Sequence, residues 1–122
     1  MTTARNVRRA LAAAVLTLTA IPAAAQLPKS VDWKMLGGLN TSTGVAPALL
    51  KAVDGTVVRI PGFVVPLDDF QEEGAEFLLV PYYGACVHTP PPPPNQIVMV
   101  AMAGRKSVKL NLFVAVWMSG RL

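Results

Sequence analysis

The chain has 122 residues, 11 of them basic and 7 acidic, and 52% of it is hydrophobic. That is length for at most one domain, and it is too apolar and too weakly charged for a disordered chain. One cysteine and one histidine exclude an intramolecular disulfide, a self-contained structural zinc site of Cys and His, and a two-cysteine haem motif.

Arg5, Arg8 and Arg9 precede an apolar stretch from Ala10 to Ile21, followed by Pro22 and the small residues Ala23, Ala24 and Ala25. This is the order of a secretory signal, with cleavage expected near Ala25. The stretch is well short of the ~20 residues that span a bilayer as a helix. Arg8 and Arg9 hint at twin-arginine export, but Val7 and Ala10 fit that signal poorly and the general secretory route is expected. The destination is then the periplasm or the medium. Loss of the three arginines takes the basic count from 11 to 11 − 3 = 8 against 7 acidic residues. The basic pI near 9.6 therefore belongs to the leader. Nucleic acid is not an expected partner, because the remaining basic residues are scattered, with only Arg105 and Lys106 adjacent.

Residues 26–55 read as an N-terminal segment. Trp33 and Leu36 suggest a short docking piece, with Trp33 in the core or as a lid, and Asn40 to Gly44 reads as a loop. Pro47 to Val53 has helix-forming composition and is stopped by Asp54-Gly55, which gives one short helix.

From Thr56 to the end, residues 56–122, the pattern turns to β. Val57 to Leu67 is rich in β-branched residues, and Pro61-Gly62 in its middle predicts a bulge or sharp bend. Residues 68–76 hold five of the seven acids, Asp68, Asp69, Glu72, Glu73 and Glu76, and read as a hairpin loop. Phe77 to Tyr83 and Ile97 to Met102 are further strands, Ala103 to Lys106 a turn, Val108 to Leu110 the start of another strand, and Val114 to Met118 the last. Short, closely spaced strands with a scrap of helix predict a mainly β fold, a small OB-like or partly open barrel.

One stretch concentrates chemistry. If Cys86 to His88 is extended, the chain's single thiol and single imidazole share a face, because strand side chains alternate with period two. Both suit Zn(II) or copper, the thiolate more strongly once deprotonated. Zinc normally takes four ligands, so completion would need a carboxylate such as Asp68, Asp69, Glu72, Glu73 or Glu76, a water, or a second protein. The plainer alternative makes Cys86 a small buried hydrophobe and His88 a partner for a backbone carbonyl. A free thiol in an exported protein is nevertheless unusual in an oxidising compartment.

Pro90, Pro91, Pro92, Pro93 and Pro94 should form a stiff polyproline rod of ~3.1 Å per residue. It is either a connector that holds Cys86 and His88, or a docking ligand for an aromatic groove on a partner, with Tyr82 and Tyr83 alongside. A thiol enzyme would need His88 to activate Cys86. Residues two apart on a strand meet that requirement poorly, and no phosphate loop, serine elbow or paired acid signature is present. The expected class is non-enzymatic.

The runs Asp54 to Leu67, Glu76 to His88, the prolines with Asn95-Gln96-Ile97-Val98, and Val116 to Gly120 together resemble the bacterial domain-of-unknown-function family numbered 3299. The resemblance implies an exported or lipid-anchored protein without an established activity, in a setting near ABC-type transport and zinc-responsive genes. It also implies a chain that continues past the strand at Val114 to Gly120. Relative to that pattern, a closing strand is expected to be missing, which would expose an apolar sheet edge, or the reading frame is shortened.

Overall fold

The computed structural model describes residues 26–85 and 90–122. The leader, with its cleavage point, and the residues Cys86, Val87, His88 and Thr89 lie outside the described residues.

The organising element is β2 (Val57–Pro66), which alternates buried Val58, Ile60, Gly62 and Val64 with more exposed neighbours, the period-two pattern of a strand with one face on a core. Val58 pairs with both Lys29 of β1 (Lys29–Ser30) and Gly120 of β7 (Ala115–Arg121), so β1 and β7 lie on opposite edges of β2. Phe63 pairs with both Val80 of β4 (Glu76–Val80) and Ala115, so β4 follows β1 along the same edge. β5 (Val98–Ala101) extends the sheet beyond β4. Two-residue strands β3 (Glu73–Gly74) and β6 (Val108–Lys109) make a separate ribbon.

The fold is mainly β, as expected, and among the described residues its sheets are open, with no closed barrel. β5 and β7 have one strand neighbour each among the described residues and flank a groove of about 400 Å³ floored by Val58, Ile60 and Leu79.

No bulge interrupts the pairing of β2 with β7 at Pro61-Gly62, which corrects the bulge half of the expected bulge or bend. Its register against β7 runs unbroken from Val57 opposite Arg121 to Phe63 opposite Ala115. The reason is the direction Pro61 faces. Its carbonyl points to the edge shared by β1 and β4, where it accepts the Trp33 indole N–H at 2.6 Å. The missing proline N–H points the same way, into the interval between β1 and β4, so no ladder bond to β7 is lost. Gly62 is needed for another reason. A Cβ there would lie 2.7 Å from the Val80 carbonyl oxygen and 2.9 Å from Leu79 Cγ.

Among the described residues two short α-helices form, not one. α2 (Ala48–Lys51) follows Pro47, and the chain leaves it through Gly55 at φ +70, a left-handed position that suits glycine. The unexpected helix is α1 (Trp33–Gly37), which starts at Asp32, whose carboxylate accepts the Met35 amide at 2.7 Å. Both helices close over the inner face of the sheet. Val31, Leu36, Leu50 and Val53 form one buried cluster with Val58, Ile60 and Leu79. The segment 26–55 is thus part of the same core as the strands. β4 ends at Val80, three residues earlier than expected, because Pro81 cannot donate to the ladder. None of the described helices is long and apolar enough to cross a membrane.

Candidate functional site

Beyond Val80 the chain turns through Pro81 to Gly84, with Gly84 at φ +76, and returns to the interior at Ala85, which has no exposed surface. Cys86 and His88, the expected metal ligands, follow immediately and lie outside the described residues. On their far side the chain resumes at Pro90, whose carbonyl accepts the Tyr82 hydroxyl at 3.0 Å. The expected stiff rod from Pro90 to Pro94 is shorter by one residue, and its prolines differ in exposure. Pro90, Pro91, Pro93 and Pro94 are exposed, but Pro92 between them is buried. Pro93 is extended at φ −62, ψ 157.

The extended run stops there, not at Pro94, which opens a 3₁₀ turn (Pro94–Gln96). The first position of a helical turn has no use for its N–H, so proline fits it without loss. The turn aims two amides at the N-terminal segment. Asn95 Nδ2 donates to the carbonyls of Gly37 and Leu39, both at 3.0 Å, and Gln96 Nε2 donates to the Trp33 carbonyl at 3.2 Å. The described prolines are therefore fastened at both ends, at Tyr82 and at α1, with Pro91 exposed just inside the first fastening. Sequence reasoning did not single out Asn95 and Gln96; the available signal was two adjacent amide side chains after a rigid run that presets their direction.

Tyr82 and Tyr83 are both substantially exposed, at 40% and 53%. Tyr83 is also part of an aromatic row, its ring centroid 6.3 Å from Phe63 and 5.8 Å from Phe113.

The carboxylates stand elsewhere. Asp68 accepts the Phe70 amide at 3.4 Å, and its carbonyl accepts that of Gln71 at 3.0 Å, which makes a local turn. Glu73 sits in β3 opposite Lys109 of β6, and the Glu72 carbonyl accepts the Leu110 amide at 2.9 Å. Glu76 opens β4 opposite Ala101. Asp69, Glu72 and Glu73 line an open pocket of about 530 Å³ whose wall includes Leu112 and Phe113. The same two residues also wall the small cleft that Tyr83 and Ala85 line. Among the described residues, no group of three or more His, Cys, Asp or Glu side chains is arranged to hold a metal ion. The acidic loop has its backbone engaged in turns and a ribbon, and three of its five acids, Asp69, Glu72 and Glu73, line the pocket.

These features define a small, mainly β domain with an open sheet, a tyrosine-proline closure, and the cysteine and histidine between its two ends. The chain belongs to the DUF3299 family, described as a protein of unknown function, whose model matches residues 30–122. It is similar to the crystal structure of a DUF3299 family protein from Pseudomonas aeruginosa, with 34% identity over 78% of this chain and 80% of that one and a TM-score of 0.56. No curated protein matches.

Proposed function

We propose that this protein is an exported, non-enzymatic accessory of the cell envelope that binds a transition metal, zinc first, through Cys86 and His88, in the service of an ABC-type transport system. The observation that carries the reading is the closure around the pair. Ala85 is buried on one side, the Tyr82 hydroxyl bonds the Pro90 carbonyl on the other, and the prolines beyond are tied to α1. Ends held this way lower the entropy lost when a ligand pair is ordered around an ion. Two ligands leave room for water or for a group from a partner, the arrangement of a site that passes its metal on. The export and transport parts of the reading rest on the leader and on the family resemblance.

The OB-like barrel is the finer reading of the fold. A meander of β2, β4 and β5, with β7 on the other edge of β2, supports it, and so does the groove between β5 and β7, where one more strand would close the wall.

The test is zinc titration of the full chain against the Cys86→Ser, His88→Ala double variant, with copper and cobalt as comparison ions. Clear loss of affinity in the variant is expected; equal affinity overturns the proposal. A second reading, an interaction module using Pro90 to Pro94 with Tyr82 and Tyr83, draws on the exposure of both tyrosines and of Pro91. It predicts that replacing the prolines abolishes capture of an envelope partner, while the Cys86 and His88 changes leave capture intact.

A further inference from the structure

The outer face of the sheet, opposite the helices, is the surface the metal reading leaves unused. Side chains of directly paired residues point to the same side of a sheet, so Arg59 with Ser119, Pro61 with Trp117, and Val57 with Arg121 all face outward. Trp117 is 60% exposed and Val57 43%. The Arg59 guanidinium lies 4.9 Å from the centroid of the Trp117 ring, and its Nε donates to Ser30 Oγ of β1 at 2.9 Å. The Arg121 guanidinium is steadied by the Gly55 carbonyl at 3.2 Å. The outward positions of β1, β2 and β7 carry no carboxylate; five of the seven acids gather in residues 68–76, beyond the opposite end of β2, and Asp32, exposed two residues after Ser30, is engaged as the cap of α1. Asp54 stands at the rim, past Gly55.

We infer that this face rests on a bilayer surface containing anionic lipid, with Trp117 at headgroup depth and Arg59 and Arg121 against lipid phosphates. Charge and chemistry select that occupant: an indole combined with arginines, on strand positions free of carboxylates, matches the amphipathic, anionic interface of a bilayer, where tryptophan is enriched and basic side chains gain from the surface potential.

The experiment uses the full chain with vesicles of phosphatidylcholine and phosphatidylglycerol, carrying brominated acyl chains to quench tryptophan. Trp117→Phe is the reporter variant, chosen because the residue is exposed and its loss leaves the core intact; far-UV circular dichroism verifies the fold. Quenching in the native chain that falls sharply in Trp117→Phe supports the inference. So does about fivefold weaker binding for each of Arg59→Gln and Arg121→Gln, the loss that accompanies removal of one cationic side chain from an anionic surface. Three results overturn it. One is co-sedimentation in which Trp117→Phe changes no quenching, which assigns the contact to the leader alone. Another is equal binding to vesicles of phosphatidylcholine only. The third is retention on an anionic polysaccharide, or self-association, that depends on Trp117 while vesicles leave it unquenched.

Discussion

Gly62→Ala tests the closest approach in the fold. The added methyl would sit 2.7 Å from the Val80 carbonyl oxygen, 2.9 Å from Leu79 Cγ and 3.0 Å from Trp33 Cζ2. The first of these is backbone of β4, held in register by the pairing of Val80 with Phe63, so relief requires separating β2 from β4 or lifting Trp33 from Pro61. Overpacking a tight interior site costs typically 1–3 kcal/mol, and a carbonyl oxygen as the obstacle places this case at the upper end. Reduced freedom of the unfolded chain returns about 0.4–1 kcal/mol, which leaves a net loss of about 2 kcal/mol. In a domain of this size each kcal/mol moves Tm by about 4–8 °C, so a fall of about 8–16 °C is expected in a thermal melt followed by circular dichroism. Gly120→Ala is the matched control. It lies on β7 with nothing within 4 Å of an added Cβ and without a positive φ, so it should be neutral or stabilising by about 0.5 kcal/mol. A Gly62→Ala melt within about 2 °C of the native chain, far below the shift expected per kcal/mol, would refute the packing argument.

Four further outcomes follow from the same geometry. Leu79→Ala empties a site with no exposed surface on the inner face and should cost about 2–5 kcal/mol in urea unfolding. Asn95→Ala leaves the Gly37 and Leu39 carbonyls without their shared donor; a loss of about 1–3 kcal/mol is expected, with faster hydrogen exchange concentrated in α1. Trp33→Phe removes the donor to the Pro61 carbonyl, and it should cost more than the exposed Trp117→Phe when both are compared by chemical denaturation. Tyr82→Phe removes one largely exposed hydrogen bond and should cost under about 1 kcal/mol in stability. On the proposed metal reading, zinc affinity should still fall severalfold, because this bond ties together Tyr82 and Pro90, which flank Cys86 and His88 in the chain; unchanged affinity by calorimetry would separate the closure from the site.

The parts of this molecule that are legible in its residues are those where one local signal meets no competitor. β2 is one: alternating burial along Val57 to Pro66 follows from its composition. The hairpin loop after it and the stop at Gly55 are others. Pro61-Gly62 misleads because its meaning depends on direction. A proline breaks a strand only when its missing N–H faces a neighbour, and here it faces the interval between β1 and β4, into which Trp33 reaches from 28 residues away. α1 is hidden for a related reason. Five residues cannot hold a helix in isolation, and this one persists because Asp32 caps it, Leu36 is buried, and Asn95 and Gln96 bind its carbonyl groups and those just beyond it from the far side of the proline run.

That last contact changes what the proline run means. A polyproline segment offered as a ligand must leave its carbonyls and ring faces open to a groove on the partner. Here the Pro90 carbonyl is taken by Tyr82, Pro92 is buried, and the turn after Pro93 is bolted to α1. Pro91 is exposed, yet it stands between a residue whose carbonyl is occupied and one whose ring is covered. A partner that gripped the run as a ligand would meet exposed rings at Pro90, Pro91, Pro93 and Pro94, a covered one at Pro92, and an engaged carbonyl at Pro90. The same bonds cost nothing to a role in which the run holds its neighbours in place. Under the proposed function, that role is to hold Pro90, where the described chain resumes after the cysteine and histidine, against Tyr82.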